Sequence, residues 1–202
     1  MTDDATSDAN SDATAPASGA PPGHAAILDA TRHWLTRAVI GLNLCPFAKS
    51  VHVKQQIRYA ICEARDLEGV LIDLERELQF LAEANPDTLD TTLLIVPHAL
   101  ADFADFNDAT WFAERLVQQL RLEGTLQVAS FHPQFQFEGT EPDEIENYTN
   151  RAPYPILHLL REASIERAVA AFPDAADIYE RNQETLRKLG FDGWREWMAQ
   201  RD

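Results

Sequence analysis

The chain has 202 residues, 45 % of them hydrophobic, which is enough to bury an ordinary core in one domain. Its net charge of −16 repels phosphate backbones and anionic lipid surfaces, so nucleic-acid and membrane binding are disfavoured as classes of function. Two cysteines, Cys45 and Cys62, are too few for a secreted disulfide scaffold and suit a reducing, cytoplasmic compartment. The N-terminus shows no basic segment followed by an apolar one, so no signal peptide is expected, and no apolar run is long enough to span a bilayer.

Residues 1–24 are Asp, Ala, Ser, Thr, Pro and Gly with almost nothing bulky, and the first Lys or Arg is Arg32. Such a segment cannot bury enough apolar area to offset chain entropy, and the expectation is a disordered acidic tail ahead of a single α/β domain over residues 25–202. From Ala25 onward Ile27, Leu28, Trp34, Leu35, Ala38 and Val39 recur at helical spacing, and Gly41 can stop that helix. Cys45 precedes Pro46, which biases Cys45 toward an extended conformation and suits the first position of a new turn of helix.

Residues 57–64 read as a strand, and residues 67–84 as a helix with Leu67, Val70, Leu71, Leu74, Leu78 and Leu81 on one face. Residues 91–96 are almost all apolar or β-branched, as in a strand covered on both faces. Residues 107–122 read as a helix capped by Asn107 or Asp108, and residues 125–131 as a third strand. Strands alternating with single helices are βαβ units, and right-handed crossovers make a small three-stranded parallel sheet flanked by helices, with further helices at the C-terminus. The rival is a ferredoxin-like α+β fold. A loop of about 20 residues follows His132. After it, a helix is expected to start near Pro155, another to run from Ala175 to Leu189, and a short one to span Trp194 to Met198.

The stretch from Phe131 to Glu162 holds the densest polar chemistry. In an open parallel sheet, ligands bind beyond the carboxyl ends of the strands. His132 follows the third strand there, as His98 follows the second. On the expected helix, His158, Arg161 and Glu162 share a face. With Asn147, Asn150 and Arg151 from the loop, this set suits a small anionic molecule, the arginines gripping a carboxylate or phosphate and a histidine moving a proton. The catalytic candidates are His132, His158 and Cys45; the ligand-binding candidates are Asn147, Asn150, Arg151 and Arg161. Plainer roles stand beside these. Asn150 and Arg151 can tie the loop to its own backbone, His158 can be a satisfied structural histidine, and Cys45 can be a small buried hydrophobe. Cys62 lies mid-strand and belongs to the core.

A His132, His158 and loop-carboxylate metal set finds no support in spacing, so no metal is expected. Without GxGxxG or a P-loop, no cofactor is expected either. Whether the chain is an enzyme stays open. The other class of function is a non-catalytic interaction protein whose acidic surface meets a basic partner.

Several segments in order resemble a known family: Gly41-Leu42-Asn43-Leu44-Cys45-Pro46-Phe47-Ala48, Ser130-Phe131-His132-Pro133, Asn147-Tyr148-Thr149-Asn150-Arg151-Ala152-Pro153-Tyr154-Pro155, and Leu157-His158-Leu159-Leu160-Arg161-Glu162. They resemble a bacterial family designated domain of unknown function 1415, across roughly residues 25–190. The resemblance implies a bacterial cytosolic protein and brings no reaction with it.

Overall fold

Period-two burial and period-3.6 burial divide the chain into strands and helices, and a computed structural model describes them over residues 22–171 and 177–200. In chain order the elements are α1 (His24–Trp34), a π-helical extension of it (Leu35–Ile40), α2 (Ala48–Val53), β1 (Ile57–Ile61), α3 (Leu67–Glu83), β2 (Thr91–Ile95) and α4 (Phe103–Gln119). Then come β3 (Leu126–Phe131), a 3-10 turn (Ile145–Thr149), β4 (Ile156–Arg161), α5 (Glu162–Ala171) and α6 (Ile178–Ala199). The acidic tail up to residue 21 and the expected helix start at Ala175 lie outside the described residues.

The sheet has four strands in the order β1-β2-β4-β3. β1 and β2 pair in parallel; β4 is antiparallel to both β2 and β3. The first three strands therefore do run the same way, but β4 lies between β2 and β3 and makes the sheet mixed. This corrects the three-stranded parallel sheet. It also removes the ferredoxin-like alternative, whose order of elements along the chain is different.

The helix expected from Pro155 is β4. Ile156-Leu157-His158-Leu159-Leu160-Arg161 is too short and too apolar for its period to separate helix from strand by spacing alone. Its partners decide. β4 lies between two strands, with Leu157 and Leu159 packed on one side of the sheet and Ile156 on the other.

α3 and α4 cover the face that carries Leu94, Leu126, Leu157 and Leu159. Asp66 caps α3 by accepting the Gly69 N–H, and Val70, Leu74, Leu78 and Leu81 are buried along it. Each such side chain contributes ~2 kcal/mol on removal from water. α4 starts at Phe103, earlier than expected, because the carboxylate of Asp102 accepts the N–H groups of Ala104 and Asp105.

The opposite face carries Leu93, Ile95 and Ile156 under α1 and its extension, which contribute Ile27, Trp34, Leu35, Ala38 and Val39. Gly41 closes that helix where a Cβ would sit 2.4 Å from the Arg37 carbonyl and 3.1 Å from the Trp197 ring. α6, broken at Gly190, clamps the assembly. Asn182 Nδ2 donates to the Leu44 carbonyl (2.8 Å), and Leu186 packs with Leu44 and Ile145. Among the described residues, no helix is long and apolar enough to cross a membrane.

Candidate functional site

Alternation along β3 and β4 sends the two candidate histidines to opposite sides of the sheet. His132 continues the face of Leu126 and Val128. It is buried against the rings of Phe103 and Phe106, at 5.4 and 4.9 Å between centroids. Its Nδ1 accepts the Gln134 N–H (3.0 Å), so the proton sits on Nε2, which donates to the Leu100 carbonyl (3.0 Å). Both ring nitrogens are spent on backbone groups. Burial pushes its pKa below the usual histidine value, opposed by the Leu100 bond and by Asp102.

The long loop consumes most of the other candidates in the same way. Asn147 is buried; its Oδ1 accepts from the Phe137 N–H (3.0 Å) and the Thr140 hydroxyl (2.8 Å), and its Nδ2 donates to the Glu141 carbonyl (2.8 Å). Asn150 Nδ2 donates to the Ser130 carbonyl (3.2 Å). Arg151 lies over the Tyr148 ring and donates to the carbonyls of Phe135 and Pro142. Arg161 lies on the face of β4 opposite His158. Its guanidinium is buried at the end of α3, donating to the carbonyls of Leu81 (2.6 Å), Ala84 (2.8 Å) and Leu89 (3.3 Å). The expected common face of His158 and Arg161 does not exist, because a strand separates positions three apart where a helix would join them.

His158 and Cys45 do come together. They line one cavity of about 860 Å³ on the α1 side of the sheet. Its floor is Thr91, Leu93, Gln127, Ala129, Phe131 and Leu160 from the strands. Its walls are Trp34, Leu35 and Val39 from α1 and its extension, Phe47, Ala48 and Val51 from the α2 region, and Ile165 and Ala168 from α5. Most of the lining surface is apolar, but Ser50, Gln56, Thr91, Gln127, His158 and Ser164 also reach it. Lys54 and Arg167 are balanced at this cavity by Asp87 and Asp90.

The hydrogen-bond directions around His158 follow from one hydroxyl proton. Thr91 Oγ1 donates to the Leu159 carbonyl (2.5 Å), so it must accept from His158 Nε2, 2.7 Å away. Nε2 thus carries the imidazole proton and Nδ1 carries a lone pair. No described residue donates to Nδ1, and it is not among the fully enclosed unpartnered atoms. Burial lowers the His158 pKa from 6.5 to about 4, so the ring is neutral near pH 7. Cys45 lies three residues before α2. Burial raises its thiol pKa, and the N–H groups of Phe47 and Ala48 only partly offset this. Cys62 is fully buried on the other face, its pKa pushed up to about 12, first by burial and then by Asp73.

His132 and His158 cannot hold one metal ion across the sheet. No group of three or more His, Cys, Asp or Glu side chains among the described residues is arranged to hold one. Thr91, Gln127, Ala129 and Phe131 escaped the sequence reading. Only the pairing of β2 and β3 with β4 brings them to His158, and no local pattern announces that pairing.

Residues 26–196 match a protein family described as "Protein of unknown function (DUF1415)". No curated protein and no solved structure matches the chain.

Proposed function

The chain belongs to this family, whose function is unknown, so we propose a role from the cavity itself: it binds a small, largely apolar molecule carrying a hydrogen-bond donor that His158 Nδ1 accepts. The observation that carries this reading is the unspent His158 Nδ1 lone pair in a cavity whose surface is mostly apolar. A neutral acceptor in a nonpolar cavity rewards a hydroxyl or amide N–H and penalises an unprotonated anion. The volume is that of a small-molecule site. The balanced charges of Lys54, Arg167, Asp87 and Asp90 suit a neutral or zwitterionic ligand better than the anion expected from Arg151 and Arg161, whose guanidiniums are occupied by carbonyls.

Binding fits these groups better than proton transfer does. A base with a pKa of about 4 has little affinity for a proton near pH 7, and a thiol raised by burial is a poor nucleophile. A panel of phenols, indoles and alcohols, each paired with its methylated analogue, tests this reading by calorimetry. The donor-bearing members bind, methylation weakens them about tenfold, corresponding to ~1.4 kcal/mol, and Ala129→Phe, which fills the floor, abolishes binding. Binding that survives Ala129→Phe, or that ignores methylation, defeats the proposal.

A further inference from the structure

The pairing of β1 leaves one of its edges open. In the parallel ladder, Gln56 O and Cys62 N bond to β2, so the backbone groups of Arg58 and Ala60 also point inward and those of Ile57, Tyr59 and Ile61 point outward. None of these three residues has a backbone partner on its outer side among the described residues. Natural edges are blunted by proline, by a bulge or by a charge set over the edge. β1 has no proline, and its one charge, Arg58, is drawn back onto α3. There its guanidinium grips Glu77 at 2.7 and 3.0 Å and lies 4.7 Å from the centre of the Phe80 ring.

The same edge borders a groove of about 420 Å³ between α1 and α3, which meets the His158 cavity at Ile57. Leu28 and Leu89 supply apolar walls, and Arg32 lies over the Tyr59 ring at 5.1 Å. Arg32 is exposed and has no carboxylate partner among the described residues. With Arg58 neutralised by Glu77, Arg32 is the unpaired guanidinium beside the open strand among the described residues, a local cation on a chain of net charge −16.

We propose that the open edge of β1 takes an extended acidic peptide segment of a partner protein as a fifth strand. Main-chain bonds to Ile57, Tyr59 and Ile61 supply the attachment, and Arg32 selects acidic side chains. A second copy of this chain is the poorer occupant, because edge-to-edge pairing of two β1 strands brings the two Arg32 side chains toward each other and joins two strongly negative molecules.

The test uses the full chain and a fluorescein-labelled heptapeptide alternating valine with glutamate. Its controls replace glutamate by lysine or N-methylate the bonding edge. The acidic peptide binds by anisotropy and slows amide exchange at Ile57, Tyr59 and Ile61. The lysine peptide does not bind. N-methylation weakens binding at least tenfold, and Arg32→Glu does the same. The proposal is overturned if the lysine peptide binds equally well or if the three amides do not respond. It is also overturned if those amides are already slow without peptide, whether at all concentrations, because another part of the chain covers the edge, or only at high concentration, because a second copy does.

Discussion

The long loop over residues 132–155 and the cavity on the α1 face use polar chemistry in opposite ways. The loop holds many polar side chains, and its candidates spend them on backbone groups: His132 uses both ring nitrogens, Asn147 its whole amide, and Arg151 two of its donors. The cavity has a mostly apolar surface, and on one of the residues lining it an acceptor, His158 Nδ1, is unspent. An irregular segment has backbone groups that no ladder satisfies, and side chains must satisfy them. Density of polar residues therefore marks a loop that needs fastening, whereas an open valence beside apolar walls marks a place for a ligand.

Substitutions on the two sides should separate accordingly. The largest effect is expected at Arg161, a fastener of the same kind. Arg161→Met strands the carbonyls that end α3 and costs about 3 kcal/mol in denaturant unfolding; Asn147→Ala costs about 2 kcal/mol. Neither changes ligand affinity in the folded protein. Loss of binding without loss of stability would break the comparison.

An effect of similar size, spread over several pH units, comes from His158. The unfolded His158 takes up a proton near 6.5, while the folded ring resists until about 4. The unfolded state thus binds more protons in that window, and stability falls as pH drops from 6.5 toward 4, by at most ~1.4 kcal/mol per pH unit. His132 contributes with the same sign. Thermal unfolding across this range should show a shallower slope in His158→Gln, and an unchanged slope would mean that the ring is not desolvated.

The smallest effect concerns the thiols. Iodoacetamide should modify Cys45 slowly and Cys62 more slowly still, since Cys45 lines a cavity and Cys62 is enclosed. Cys62 reacting first would mean that the two faces of the sheet had been assigned the wrong way round.

Much of the frame was legible in the residues, because long periodic segments declare themselves. α3 falls within a residue of its expected span, and β1, β2 and β3 begin where alternation and β-branching place them or one residue away. β4 was not legible. Six mostly apolar residues after a proline carry no decisive period, and their state depends on strands well separated along the chain, as the Thr91–Leu160 and Leu126–Arg161 pairs show. The candidate site inherited that error. Reading 156–161 as a helix put His158 beside Arg161 and near His132; reading it as a strand puts each on a different errand. Of the candidates expected at one site, only Cys45 and His158 line the same cavity.

The claim that distinguishes the two regions most sharply is whether the Nδ1 acceptor of each imidazole is already occupied, and long-range nitrogen–proton NMR on uniformly labelled protein at pH 7 reads it directly. Both His132 and His158 should appear as neutral rings with the proton on Nε2. Titration with a donor-bearing fragment from the phenol panel should move His158 Nδ1 toward the hydrogen-bonded shift and leave His132 unmoved. A His158 protonated at Nδ1, or a ligand response at His132 in place of His158, would contradict the account.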